Sequence, residues 1–218
     1  MIQGTGKYDF SVREAGDTTR YVSLAILPVD DIASRYFQTV WHKLATAVIS
    51  FHDHCGDNAC PKWTTWQVGK WSKESVTPIR SRFAAWHGDL LAGFVNLRSE
   101  FQSSFTKGTP ITYLEHLAAS PGCLTTRIWN RSLVRVGQAL LAFAIYQSIE
   151  NGHRGAIGLH AADETSEDWY EKLNTKYGGR LFHKCRIGVN GFYERSLQRP
   201  YYEATVDGAI ELLESYRS

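Results

Sequence analysis

The sequence is poor in several features that define whole classes of protein. Its four cysteines, Cys55, Cys60, Cys123 and Cys185, are too few and too scattered to frame a disulfide-built secreted scaffold, so reduced thiols are expected. It has no apolar run near the ~20 residues that a membrane helix needs. The most apolar stretch, Ala139 to Tyr146, falls far short, and Met1 to Phe10 holds nothing of signal-peptide length. A cytoplasmic location without membrane contact is the expectation. Charge of one sign is also missing: 24 Lys and Arg against 22 Asp and Glu leave a net +2, with no basic stripe or tail to track a nucleic-acid backbone. No internal repeat or low-complexity stretch interrupts the chain.

What is present is a globular composition: 43% hydrophobic and 13% aromatic residues, including seven tryptophans, in 218 residues. A chain of this size buries roughly 70% of the surface its unfolded form exposes, so one domain over 1–218 is expected. Tyr21 to Leu27 reads as a strand, closed by Pro28 and the Asp30-Asp31 pair. From Ala33 to about Phe51, apolar residues recur at spacings of three and four, which predicts a helix. Residues 53–75 are irregular and carry Trp63, Trp66 and Trp71. Ile79–Trp86 and Leu90–Leu97 flank His87-Gly88-Asp89 as a hairpin, residues 98–109 read as polar loop, and Ile111–Ala119 as a further strand. Leu133–Glu150 is apolar on every side at its centre and reads as a helix buried against a sheet, ended by Asn151-Gly152. Ala156–Ala161 follows as a strand, and strand, helix, strand in that order implies a parallel pair with a right-handed crossover. Asp163, Glu164, Glu167 and Asp168 suit the start of the next helix, which Gly178-Gly179 closes. LFHKCRIGV and YYEAT supply two more strands, and Val206–Tyr216 a terminal helix.

The segment Val134-Arg135-Val136-Gly137-Gln138-Ala139 leads straight into a helix. Backbone N–H groups at a helix start point at whatever lies there, so a pyrophosphate fits if a small residue such as Gly137 admits it. The alternative reading of Gly137 is a close strand–helix contact.

YLEHLA, the loop with Trp129-Asn130, VRVGQALLAFAIYQSIENG, GAIGLHA and DWYEKL together resemble the GNAT superfamily of N-acetyltransferases over residues 79–182. The resemblance implies a mixed α/β fold, a splayed central sheet with helices on both faces. Residues 79–182 would form the coenzyme-binding core and 1–78 an acceptor-side region, and the loop from Pro121 to Gly137 is similar to a subgroup in which that connection is extended. It implies acetyl-coenzyme A as cosubstrate, no metal, and a glycine-rich loop, Q/R-x-x-G-x-G/A, around the pyrophosphate at Arg135, Val136, Gly137, Gln138 and Ala139. Aligned on Gly137, that motif has Arg135 at its first glycine and Ser132 at its Gln or Arg. The guanidinium either pairs with phosphate oxygens or fills the slot.

Acyl transfer to an amine needs a neutral amine, a polarised thioester carbonyl and a proton for the leaving thiolate. The resemblance implies that the backbone of Leu117, Ala118 and Ala119 holds the acyl carbonyl and pantetheine arm. Glu115 lies two residues before Leu117, so alternation puts both on one face, and its carboxylate reads either as the amine's proton acceptor or as a salt-bridge partner. His116 points the other way and reads as a hydrogen-bonded structural residue. Tyr170, in DWYEKL, is at the position where the family keeps a tyrosine hydroxyl beside the thioester sulfur. It is either the general acid or a ring packed on the pantetheine; Trp169 reads as core.

His52, Asp53, His54, Cys55 and Cys60 have the composition of a zinc site but not its spacing, and a surface loop is the expectation. Trp63, Trp66, Trp71 and Trp86 either line an acceptor pocket or pack. The leading function is transfer of acetyl from acetyl-coenzyme A to a primary amine by direct attack in a ternary complex, with a homodimer as candidate assembly. Two alternatives stand beside it: a toxin-like acetyltransferase of aminoacylated tRNA, the one nucleic-acid partner expected, and a non-catalytic acyl-coenzyme-A-binding or regulatory module.

Overall fold

A computed structural model of the chain describes residues 8–14, 20–41, 43, 79–120, 133–161, 164–185 and 200–216. The elements run β1 (Tyr8–Glu14), β2 (Tyr21–Pro28), α1 (Asp31–Tyr36), a π-helical turn (Phe37–Trp41), β3 (Arg80–His87), β4 (Leu90–Gln102), β5 (Pro110–Ala119), β6 (Leu133–Val134), α2 (Val136–Glu150), β7 (Ile157–His160), α3 (Glu164–Lys176), β8 (Phe182–Cys185), β9 (Tyr201–Ala204) and α4 (Val206–Glu214). The chain is mixed α/β, and it divides into two compact units. One contains Met1–Thr77, Ser81–Val95 and Leu117–Leu140, and the other Pro78–Arg80, Asn96–His116 and Leu141–Ser218.

In the first unit the strands hydrogen-bond in the order β6-β1-β2-β3-β4. β2 buries alternate residues, Leu24 and Ile26, as a strand with one face on a core must. β4 is buried continuously from Leu91 to Leu97, the pattern of a strand covered on both faces. Beneath α1, Trp41 sets its ring edge-on to Phe94, with centroids 5.1 Å apart, and donates Nε1–H to the Leu91 carbonyl at 3.0 Å. The indole thereby buries its area without orphaning its one polar atom.

In the second unit the order is β4-β5-β7-β9-β8. β5 and β7 are parallel, Thr112 to Leu114 facing Ile157 to Leu159, while β9 is antiparallel to both β7 and β8, so the sheet is mixed. This is the adjacent parallel pair that the strand–helix–strand order predicts. Along α2, Ala139 to Ile145 are all buried. α3 opens on Glu164 and Glu167 and closes on Gly178 and Gly179, at φ 63° and 74°; the Gly179 N–H donates to the Asn174 carbonyl at 2.8 Å. Thr205 caps α4, its Oγ1 accepting from the Gly208 N–H at 3.0 Å.

Three readings of the sequence are corrected. Leu133-Val134 is not the first turn of a helix but the short strand β6, which pairs with Glu14 and Arg13 of β1. β4 runs on to Gln102 through the polar residues read as loop, because its end is hydrogen-bonded into a hairpin, the Ser103 N–H donating to the Thr109 carbonyl at 2.9 Å. The helix expected over Ala33–Phe51 begins at Asp31, where the Asp30 carboxylate accepts from the Ala33 N–H, and passes into the π turn at Phe37. The rest of that helix lies outside the described residues, as do residues 53–75 with their tryptophans, the His52–Cys60 cluster and the loop with Trp129-Asn130.

Candidate functional site

The start of α2 sits entirely within the first unit. Arg135 precedes the helix with φ 72°, a left-handed conformation that glycine adopts freely and other residues rarely do. Its carbonyl accepts the first helical bond, from the Ala139 N–H at 3.0 Å, which leaves the N–H groups of Val136, Gly137 and Gln138 without carbonyls inside the helix. A guanidinium has no acceptor, so Arg135 cannot cap them. Gly137 and Gln138 are half-buried and Arg135 is exposed, so the donors lie near the surface.

A bare glycine on the sheet lets this helix start come close. An ideal Cβ on Gly93 would lie 2.7 Å from Leu140 Cδ1, 3.0 Å from the Ala118 carbonyl oxygen and 3.1 Å from Val136 Cγ1. Gly93 therefore lies against both Ala118 and the first turn of α2. Of the two stretches proposed to hold a coenzyme, Ala118 from one and Val136 from the other both lie against Gly93. At the end of β5 the chain is pinned by the Ser120 N–H, which donates to the Ala92 carbonyl at 2.7 Å.

The described ion pairs lie in the second unit. The parallel ladder covers Thr112 to Leu114, and β5 continues past it to Ala119. The side chain of Glu115, the next residue, is 4% exposed and forms an ion pair at 3.1 Å with the Nε of Arg80. The salt-bridge reading of Glu115 is thus realised in the structure. Tyr170 is 5% exposed and packs edge-on to Trp169 and Phe182 and obliquely on Tyr202. Lys184 bonds both Glu167, at 3.0 Å, and Glu171, at 2.5 Å, and Tyr202 Oη donates to the same Glu171 oxygen at 2.9 Å. The Lys184 contact holds the Glu171 carboxyl below its usual range; burial pushes the Tyr202 phenol up to about 12.

A second polar group was not legible in the sequence. Glu203 is buried on β9 and accepts from Ser103 Oγ at 2.6 Å, the Ser104 N–H at 3.1 Å and Tyr201 Oη at 3.0 Å. Ser103 Oγ in turn accepts from the N–H groups of Phe105 and Thr106, so a carboxylate on the sheet organises the β4–β5 turn. Burial, reinforced by Glu203, raises the Tyr201 phenol far above its ordinary value. Beside it Tyr113 Oη lies 2.8 Å from Nδ1 of His160. These partners come from strands far apart in the chain, and no local spacing announces them.

Among the described residues no group of three or more His, Cys, Asp and Glu is placed to hold a metal ion, and no described helix is long and apolar enough to cross a membrane.

No protein-family model matches the sequence, and no curated protein matches it. Solved structures are similar in fold. One is an acetyltransferase of the GNAT family from Staphylococcus aureus Mu50, 12% identical, with 84% of this chain and 99% of that chain covered at a TM-score of 0.49. Another is an acetyltransferase from Streptococcus agalactiae 2603, 10% identical over 83% and 97% of the two chains, at 0.48. A third, an acetyltransferase from Thermus thermophilus, is 14% identical over 83% and 95%, at 0.43.

Proposed function

We propose that the chain is a GNAT-type N-acetyltransferase that moves an acetyl group from acetyl-coenzyme A to a primary amine, the amine attacking the thioester directly while both substrates are bound. The observation that carries this is the start of α2. Three N–H donors without carbonyl partners inside the helix, a half-buried glycine and a left-handed Arg135 open a helix whose first turn packs, through Val136 and Leu140, on Gly93 of β4, and that helix leads into β7, the parallel partner of β5. Donors held ready at a helix start suit a pyrophosphate, and the helix dipole adds to the attraction.

In this reading the N–H groups of Val136 to Ala139 hold the pyrophosphate, with the Arg135 guanidinium pairing to its oxygens. The backbone of Leu117 to Ala119 holds the pantetheine arm and polarises the acyl carbonyl. Tyr170 is proposed to donate the proton that the departing thiolate requires. Glu115, ion-paired with Arg80, is the proposed acceptor of the amine's proton.

Titration calorimetry with acetyl-coenzyme A tests the proposal. Wild type should bind, and Gly137→Trp, which fills the space over the donors, should weaken binding at least tenfold. Unchanged affinity in a folded Gly137→Trp protein would remove the helix start from the site. Thiol release with acetyl-coenzyme A and a panel of amines then tests turnover.

A further inference from the structure

Arg80 opens β3 and Glu115 lies on β5, and both residues belong to the second unit. The chain at Arg80 is pinned by the residue before it, since the Ser99 N–H donates to the Ile79 carbonyl at 2.9 Å. The Arg80 side chain bonds the Glu115 carboxylate through Nε at 3.1 Å, with 28% of the arginine side chain exposed against 4% of the glutamate's. A guanidinium carries five N–H donors, and its end-on fork, Nη1 with Nη2, matches the two oxygens of a carboxylate. In this pair the fork is left over. Among the described residues no hydrogen bond or ion pair other than the one to Glu115 reaches Arg80, and neither Nη atom is buried without a partner. The fork therefore belongs to the exposed part of the side chain, while the bond at Nε to a buried carboxylate holds the group in place.

Resting on the acetyltransferase reading above, in which Glu115 accepts the amine's proton, we infer that the acceptor is an α-amino acid, its carboxylate held by Nη1 and Nη2 of Arg80 and its ammonium by Glu115. The spacing of the pair selects this class. The two protein charges are in contact, so the opposite charges of the acceptor have to lie about as close together. In an α-amino acid only two bonds of ~1.5 Å, N–Cα and Cα–C, separate the ammonium nitrogen from the carboxylate carbon. An amine at the far end of a flexible arm gains less, because the arm has to fold back to bring its charges that close. A diamine sets its second cation against the guanidinium, and an amine with no anion leaves the fork to water. Acetylation removes the ammonium charge, so the product keeps the Arg80 contact and loses the one to Glu115, which weakens its hold on the site.

Thiol release by the full chain with acetyl-coenzyme A and the standard amino acids, each compared with its carboxamide and its decarboxylated amine, tests this. At least one free amino acid should turn over, with kcat/KM about 10- to 100-fold above its carboxamide and its amine, as expected for a charge-assisted hydrogen-bonded contact. Arg80→Lys keeps a cation beside Glu115 and removes only the fork, so it should bring that ratio toward one, chiefly by raising KM for the free amino acid. Arg80→Gln should do the same. An arginine with a merely structural role would lower the rates for acid and carboxamide alike, so an unchanged ratio in a folded Arg80→Lys protein overturns the inference. Wild type that acetylates carboxamides or simple amines as well as free amino acids overturns it without any variant. Failure of wild type to bind acetyl-coenzyme A overturns the transfer reading and this inference with it, whereas binding of acetyl-coenzyme A with no amino acid turned over overturns this inference alone.

Discussion

Gly93 on β4 lies directly beneath Leu140 of α2, leaving 2.7 Å between an ideal Cβ on the glycine and the leucine Cδ1. Leu140 can swing aside, but the Ala118 carbonyl at 3.0 Å belongs to the backbone and yields less easily. Gly93→Val should therefore push out the first turn of α2 and destabilise the fold by about 1–3 kcal/mol, as overpacking does. Urea unfolding measures the loss. Acetyl-coenzyme A affinity in the variant should fall as well, because the displaced turn is the proposed pyrophosphate site.

Arg135 separates backbone from side chain. A left-handed conformation costs an L-residue roughly 1–2 kcal/mol, which glycine avoids while giving back up to about 1 kcal/mol in unfolded-state entropy. Arg135→Gly should leave stability unchanged or raise it by up to ~1 kcal/mol, and Arg135→Ala should gain nothing, since alanine keeps the Cβ. Calorimetry on both variants reads the guanidinium: weaker acetyl-coenzyme A binding in each means that it pairs with phosphate, and tighter binding in each means that it obstructs.

The Tyr170 hydroxyl can be removed without its ring. Tyr170→Phe should retain the packing on Phe182 and Tyr202 and the affinity for acetyl-coenzyme A, while turnover falls by ~10² to 10⁴ if the phenol protonates the thiolate. Turnover within a few-fold of wild type would leave Tyr170 as packing and return the proton to water.

Glu203 holds three donors in a buried site, so Glu203→Gln, which replaces one acceptor oxygen with a donor, should cost about 1–3 kcal/mol in urea unfolding. Loosening should concentrate in the β4–β5 turn, where hydrogen exchange of the Ser104, Phe105 and Thr106 amides would rise.

Alkaline pH should unfold the second unit through its tyrosines. Tyr201 and Tyr202 are both raised, chiefly by burial, Tyr202 to about 12. An unfolded tyrosine titrates near ~10, so the folded state favours the neutral phenols. Their contribution is whole below pH ~10 and is lost as pH climbs from there toward the folded values. Phenolate absorbance followed against pH should show a late step near 12 that Tyr202→Phe removes.

The sequence by itself determined the elements whose causes are local. The Gly88 hairpin, the all-apolar α2, the acidic start of α3 with its Gly178-Gly179 stop and the β5–α2–β7 unit were readable, because each depends on residues contiguous in the chain. The parallel pairing followed as well, since a helix of that length between two strands returns the chain alongside its starting strand. Tertiary structure decided what depends on partners far away. β1 went unread, and Leu133-Val134 became a strand only because Arg13 and Glu14 stand ready to pair with it. The same holds for the site: Tyr113 and His160 lie on different strands, and Ser103 meets Glu203 from a position 100 residues away. Local propensity sets each strand's direction and faces, but only strand register, settled by burial across the whole sheet, decides which polar atoms come within bonding distance.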